Sequence, residues 1–113
     1  MLIIRESLTL TELKHIAASL FGDMVKAVAD VERELIAVDA ELHADLEALL
    51  LEDGSKQKNL WGLNLYPEAQ EDEFVEFDSM INMRPSQGNK SRGVENQALR
   101  EKILAMVAKR ITG

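Results

Sequence analysis

The sequence predicts an α+β fold in the order β-α-β-β-β-β-α, a mostly antiparallel sheet of about five strands with two helices packed on one face. Three observations carry this expectation. Thr9-Leu10-Thr11-Glu12 forms a capping box ahead of Leu10, Leu13, Ile16, Ala17 and Leu20, which recur at helical spacing. Residues 61–66 and 74–83 alternate apolar and polar side chains with period two, as half-buried strands do. Residues 96–111 return to helical spacing and end on Lys109 and Arg110, which suit the negative end of a helix dipole.

In chain order, Met1–Ile4 is a short apolar run that reads as a buried first strand. The first helix covers 10–21, with Gly22 placed to end it. Residues 24–52 admit two readings. Val28, Val31, Leu35 and Val38 fit a helix. The same segment also reads as a hairpin turning at Asp39-Ala40, with Val25, Ala27, Ala29, Val31, Leu35 and Ala37 on one face and a return through Leu42, Ala44, Leu46 and Ala48. Asp53-Gly54 is a turn signal. Trp61, Leu63 and Leu65 then face one side of a strand that Pro67 ends, with Trp61 and Tyr66 as core and core-edge aromatics. After an acidic loop, Val75, Phe77, Ser79, Ile81 and Met83 point inward from the next strand, and 85–93 is a polar loop.

With 113 residues the chain is expected to form a single domain, 1–113, whose small core favours a homodimer. No apolar run approaches the ~20 residues of a membrane helix. Glu6, Glu12 and Lys14 interrupt the apolar character of the first twenty positions, so neither a membrane nor a secretory setting is expected. Cysteine is absent, which excludes thiol nucleophiles and thiolate metal sites and fits a cytoplasmic location. The net charge of −7 conceals a split: residues 1–83 hold 18 acidic and 6 basic side chains, residues 84–113 hold 2 and 7. Such asymmetry suits either a nucleic-acid-binding segment or a basic end that neutralises the acidic part; the low pI favours the latter.

The segments Glu41–Asp45 (ELHAD), Ala48–Ser55 (ALLLEDGS), Leu60–Pro67 (LWGLNLYP) and Glu76–Asn89 (EFDSMINMRPSQGN) resemble a family of short bacterial proteins of unknown function. The resemblance spans nearly the whole chain and favours the strand reading of 24–52. It brings no activity and no functional residue. The family's first hairpin turn carries a Gly pair where this chain has Asp39-Ala40.

Two groups of residues could carry chemistry. A hairpin turning at Asp39-Ala40 would set His43, Asp45 and Glu47 opposite Ile36, Glu34 and Glu32, and facing carboxylates repel unless a cation or solvent relieves them. His43, Asp45 and Glu47 are thus candidate ligands for Mg²⁺ or Mn²⁺; a helix over 42–50 would still put His43 and Glu47 on one face. The plain alternative is a solvated acidic face. The second group is Asp78, Asn82 and Arg84 along one strand face, followed by Ser86, Gln87, Asn89, Lys90, Ser91 and Arg92 on the loop. Arg forks suit phosphate or carboxylate, but no nucleotide-binding glycine pattern accompanies them. Arg84 or Arg92 pairing with the acidic segment 71–78 is the structural alternative.

No complete catalytic set is present. The leading expectation is a binding or interaction module without its own catalysis, its partner a protein or a small anionic ligand. A metal-dependent hydrolase or phosphate-ligand enzyme is the rival, with His43, Asp45 and Glu47 on the metal, Arg84 and Arg92 on the anion and Asp78 as the catalytic base. A nucleic-acid binder through residues 84–110 comes third, because five aromatic side chains supply few stacking platforms.

Overall fold

A computed structural model describes all residues, Met1–Gly113. Its elements in order are β1 (Leu2–Ile4), β2 (Leu8–Thr9), α1 (Leu10–Ser19), β3 (Val25–Asp30), β4 (Leu35–Val38), α2 (His43–Glu52), β5 (Leu60–Leu65), β6 (Val75–Glu76), α3 (Gln97–Arg110) and β7 (Ile111–Thr112). The main sheet runs β1-β4-β3-β5-β6 with every neighbouring pair antiparallel. A parallel β2–β7 pair fastens the C-terminal end beside the start of α1. The α+β class and the mostly antiparallel sheet are as the sequence predicts. The capping box is formed as well: Glu12 N donates to Thr9 Oγ1 at 3.1 Å and Thr9 N to Glu12 Oε1 at 3.1 Å.

Residues 24–52 follow neither reading whole. The hairpin turns at Val31–Glu34, its central residues Glu32-Arg33 seven positions before Asp39-Ala40, and its second arm is followed by a third helix, not a strand. Asp30 decides the turn. Its Oδ1 accepts from the amides of Glu32 and Arg33, both at 3.0 Å, which curls the chain back at once. Glu34 completes the turn at a φ of 56°. The chain does bend at Asp39 (φ 73°), but there it leaves the sheet. Beyond it, Leu46 and Leu50 at i, i+4 bury completely as one helical stripe.

α2 also changes the layering. Leu13 and Ala17 of α1 and Ile103, Met106 and Val107 of α3 share a core with Val25, Ala27, Ala29, Ile36, Val38, Trp61, Leu63 and Leu65. Two helices thus pack on one face as expected. α2 covers the other face, where Leu46 and Leu50 meet Val28, Leu35, Ala37 and Leu60. β3, β4 and β5 are therefore buried on both sides, which explains why their sequence is apolar almost throughout.

The expected strand 74–83 shrinks to Val75–Glu76. From Ser79 the chain makes a 3₁₀ turn, with Ser79 Oγ accepting from Ile81 N, and Asn82 presents its amide to the edge of β5. Asn82 Oδ1 accepts from Gly62 N at 2.8 Å and Nδ2 donates to Gly62 O at 2.9 Å, so one side chain does what a paired strand would. Asp78, Asn82 and Arg84 accordingly do not share a strand face. Gly62 permits this approach: a Cβ there would lie 2.5 Å from Ser79 Cβ and Oγ.

Asn82→Ala should cost about 3 kcal/mol or more, because it orphans both Gly62 groups and removes one of the two hydrogen bonds to the Arg92 carbonyl, which keeps only Ser79 N. Gly62→Ala should cost on the order of 1–3 kcal/mol through overpacking. Urea titration of each variant checks this. A loss below about 0.5 kcal/mol, the range of ordinary surface changes, would mean that Asn82 is no substitute for a strand.

Candidate functional site

α2 is too short to cover its whole face of the sheet. Past its N-terminus lies an open cleft of about 570 Å³. Cross-strand register builds the floor: Lys26 of β3 pairs with Asn64 of β5, which pairs with Glu76 of β6. A cation, an amide and an anion thus lie in one row on adjacent strands, ~5 Å apart from strand to strand. Leu42, His43 and Ala44 at the start of α2 form one wall; Asp78, Ser79 and Arg92 form the other, with Met24, Met80 and Ile81 at the margins. Leu42 and Met80 are exposed, so the polar floor has an apolar rim.

His43 Nε2 lies 2.9 Å from the Leu63 carbonyl. A carbonyl only accepts, so Nε2 carries the proton and the neutral ring keeps its lone pair on Nδ1. Burial pushes the His43 pKa below its ordinary value of 6.5 and nearby Lys26 adds to this; the bond to Leu63, the Asn64 side chain and Asp78 act the other way. Glu76 Oε1 accepts from Asn64 Nδ2 and from Tyr66 Oη, each at 2.9 Å. Burial, with Glu76 beside it, raises the Tyr66 pKa. Arg92 Nε pairs with Asp78 Oδ1 at 2.8 Å. Lys26 Nζ lies 5.3 Å from the centre of the Phe21 ring.

Asn64 is 6% exposed, and its Oδ1 is buried without any hydrogen-bond partner. Its orientation is not arbitrary, because Nδ2 donates to Glu76 Oε1 and to the Asp78 carbonyl. The other two buried asparagines differ. Asn82 and Asn89 each use Oδ1 and Nδ2, Asn89 donating to the carbonyls of Asn82, Ser91 and Gly93 while accepting from Glu95 N at 2.9 Å.

Of the residues singled out in the sequence, His43, Asp78 and Arg92 come together in this cleft. The rest do not join them. Asp45 is exposed on the first turn of α2, and Glu47 faces Arg84. Nowhere do three His, Asp or Glu side chains converge as a metal centre requires, so His43, Asp45 and Glu47 do not form the expected ligand set. With the hairpin turning at 31–34, Glu32 and Glu34 are no longer opposite Glu47 and Asp45.

Arg84 is a clamp. Its guanidinium donates to the carbonyls of Gln57 and Leu60 and stacks 4.1 Å from the centre of Trp61, and burial lowers its pKa against the pull of Glu47. Gln87 donates to the Lys58 carbonyl, Ser91 Oγ accepts from Gly93 N, and Ser86 is exposed on its 3₁₀ turn. The loop 84–91 is therefore tied to the protein's own backbone.

Much of the basic C-terminal segment is likewise engaged internally. Arg100 stacks 4.5 Å from Phe77, Lys109 meets Glu34 at 3.4 Å, and Arg110 donates to the carbonyls of Glu34 and Glu6. No helix is long and apolar enough to cross a membrane. Lys26, Asn64, Tyr66 and Glu76 escaped the sequence reading as site residues. Their signal, polar side chains at same-face positions of three strands, has meaning only once β3, β5 and β6 are known to be neighbours.

Because the folded state depresses the His43 pKa, stability from the neutral ring is fully present above pH 6.5. It declines as pH falls through the folded value, since the unfolded chain binds the proton first. Urea titrations at pH 7.5 and 5.5 should show wild type losing more stability on acidification than His43→Gln, which keeps a donor for the Leu63 carbonyl. Equal losses in the two proteins would mean that the ring is not held neutral.

No characterised protein and no solved structure shows significant similarity to this chain. The family model described as protein of unknown function (DUF5674) matches residues 2–110, which is nearly the full sequence and includes every residue that lines the cleft. The chain belongs to that family.

Proposed function

We propose that this protein binds a small polar molecule in the cleft between the N-terminus of α2 and the β5–β6 edge. The observation that carries the reading is the unpartnered Asn64 Oδ1. Leaving a buried amide oxygen without a donor costs about 1–3 kcal/mol. This chain satisfies the corresponding groups of Asn82 and Asn89 in full. A donor on a bound molecule would remove the cost at Asn64. The cleft has a ligand-sized volume, and its polar side chains come from several separate elements. No metal-binding set and no activated serine or thiol support a hydrolytic reading.

Thermal melts of the full chain against a panel of small anions, cations, zwitterions and neutral polar compounds test the proposal. A ligand of the folded state present at a hundred times its Kd adds ~2.7 kcal/mol, which for a domain of this size raises the midpoint by about 10 °C. At least one class should do so in wild type and fail in Asn64→Ala. The reading falls if no class raises the midpoint at millimolar concentration, or if the rise is equal in the variant.

A further inference from the structure

The chemistry of the row Lys26–Asn64–Glu76 narrows what the cleft can hold. Glu76 uses Oε1 for Asn64 and Tyr66, leaving Oε2 without a protein hydrogen bond. Asp78 uses Oδ1 for Arg92, leaving Oδ2. With Asn64 Oδ1 these make three acceptor oxygens on residues that line the cleft, the number of N–H donors on an ammonium group. Opposite them, α2 begins at Leu42 without a side-chain cap, so the first amides of the helix, at His43 and Ala44, face the cleft as unfilled donors. Lys26, from the strand beside β5, adds its positive charge there.

Formal charges in the lining cancel, Lys26 and Arg92 against Glu76 and Asp78. Arg92 and Asp78 are paired with each other, whereas Lys26 and Glu76 are held apart by the width of β5. A dianionic phosphate would find one free cation beside two carboxylates. A molecule with both charges and no net charge meets a partner at each end. Met24, Leu42, Met80 and Ile81 supply an apolar margin beside the polar floor.

We infer that the ligand is a zwitterion of the α-amino acid class with an apolar side chain. Its carboxylate sits at the N-terminus of α2 beside Lys26, and its ammonium sits among Asn64, Glu76 and Asp78. This rests on the cleft being a ligand site and adds the charge pattern of what fills it.

Isothermal titration of the full chain with L-leucine as probe tests the inference, alongside leucinamide, which lacks the carboxylate, 4-methylpentanoic acid, which lacks the ammonium, and inorganic phosphate. Leucine should bind at least about tenfold tighter than each of the three, because each lacks one charge-assisted set of hydrogen bonds. Lys26→Met should weaken leucine and leave leucinamide unchanged. Glu76→Gln, which still accepts from Asn64 and Tyr66, should weaken leucine and leave 4-methylpentanoic acid unchanged. Phosphate or a singly charged analogue binding as tightly as leucine overturns the zwitterion while the cleft stands as a ligand site. So does a positive result confined to another class of the thermal panel. Silence from all four probes and the whole panel overturns both.

Discussion

The amide of Asn82 on the open edge of β5 is the interaction from which the rest of the site follows. β6 pairs only with Asn64 and Leu65, so the upper part of β5 would end in unpaired backbone groups. Asn82 takes both groups of Gly62, and Arg84 takes the Leu60 carbonyl. A full strand in the same position would have carried Asp78 and Ser79 along β5 and away from α2. Because a folded turn stands there instead, Ser79 packs directly on Gly62, and the Arg92 carbonyl accepts both from Ser79 N and from the Asn82 side chain. That brings the Asp78–Arg92 pair to the mouth of the cleft.

The second determinant is the length of α2. Its ten residues cover one half of a sheet face, and the residues beneath follow suit. Val28, Leu35, Ala37 and Leu60 lie under the helix, while Lys26, Asn64 and Glu76 lie beyond its first turn. Two kinds of buried polar group result. Arg84 and Asn82 are desolvated and largely repaid by backbone carbonyls and amides, as stability requires. Asn64 is desolvated and left with an open oxygen at a cleft where Lys26 and Glu76 also stop short of pairing.

α1, β5 and α3 were legible because their signals are local: a capping box, period-two alternation ended by Pro67, and basic residues after a helical stripe. Residues 24–52 were not. Val28, Val31, Leu35 and Val38 suit either period, and what separates hairpin from helix is where Asp30 turns the chain and whether Leu46 and Leu50 find a sheet to bury against. His43, Asp78 and Arg92 stood out for their chemical type, but their grouping was inferred from the wrong register. The loop residues Gln87, Asn89 and Ser91 have ligand-like chemistry and serve backbone instead, a use that composition does not reveal.

By itself the sequence determined the α+β class, the antiparallel character of the sheet, the capped first helix and the split of charge along the chain. Periodicity, capping chemistry and composition act within a few residues, and so each is readable without knowing the neighbours. Tertiary structure alone decided that a third helix covers the second face, that Asn82 stands in for a strand, and that Lys26, Asn64 and Glu76 form one row. Those outcomes depend on which strands lie side by side, and that is settled by burial of both sheet faces together, through contacts between residues dozens of positions apart in the chain.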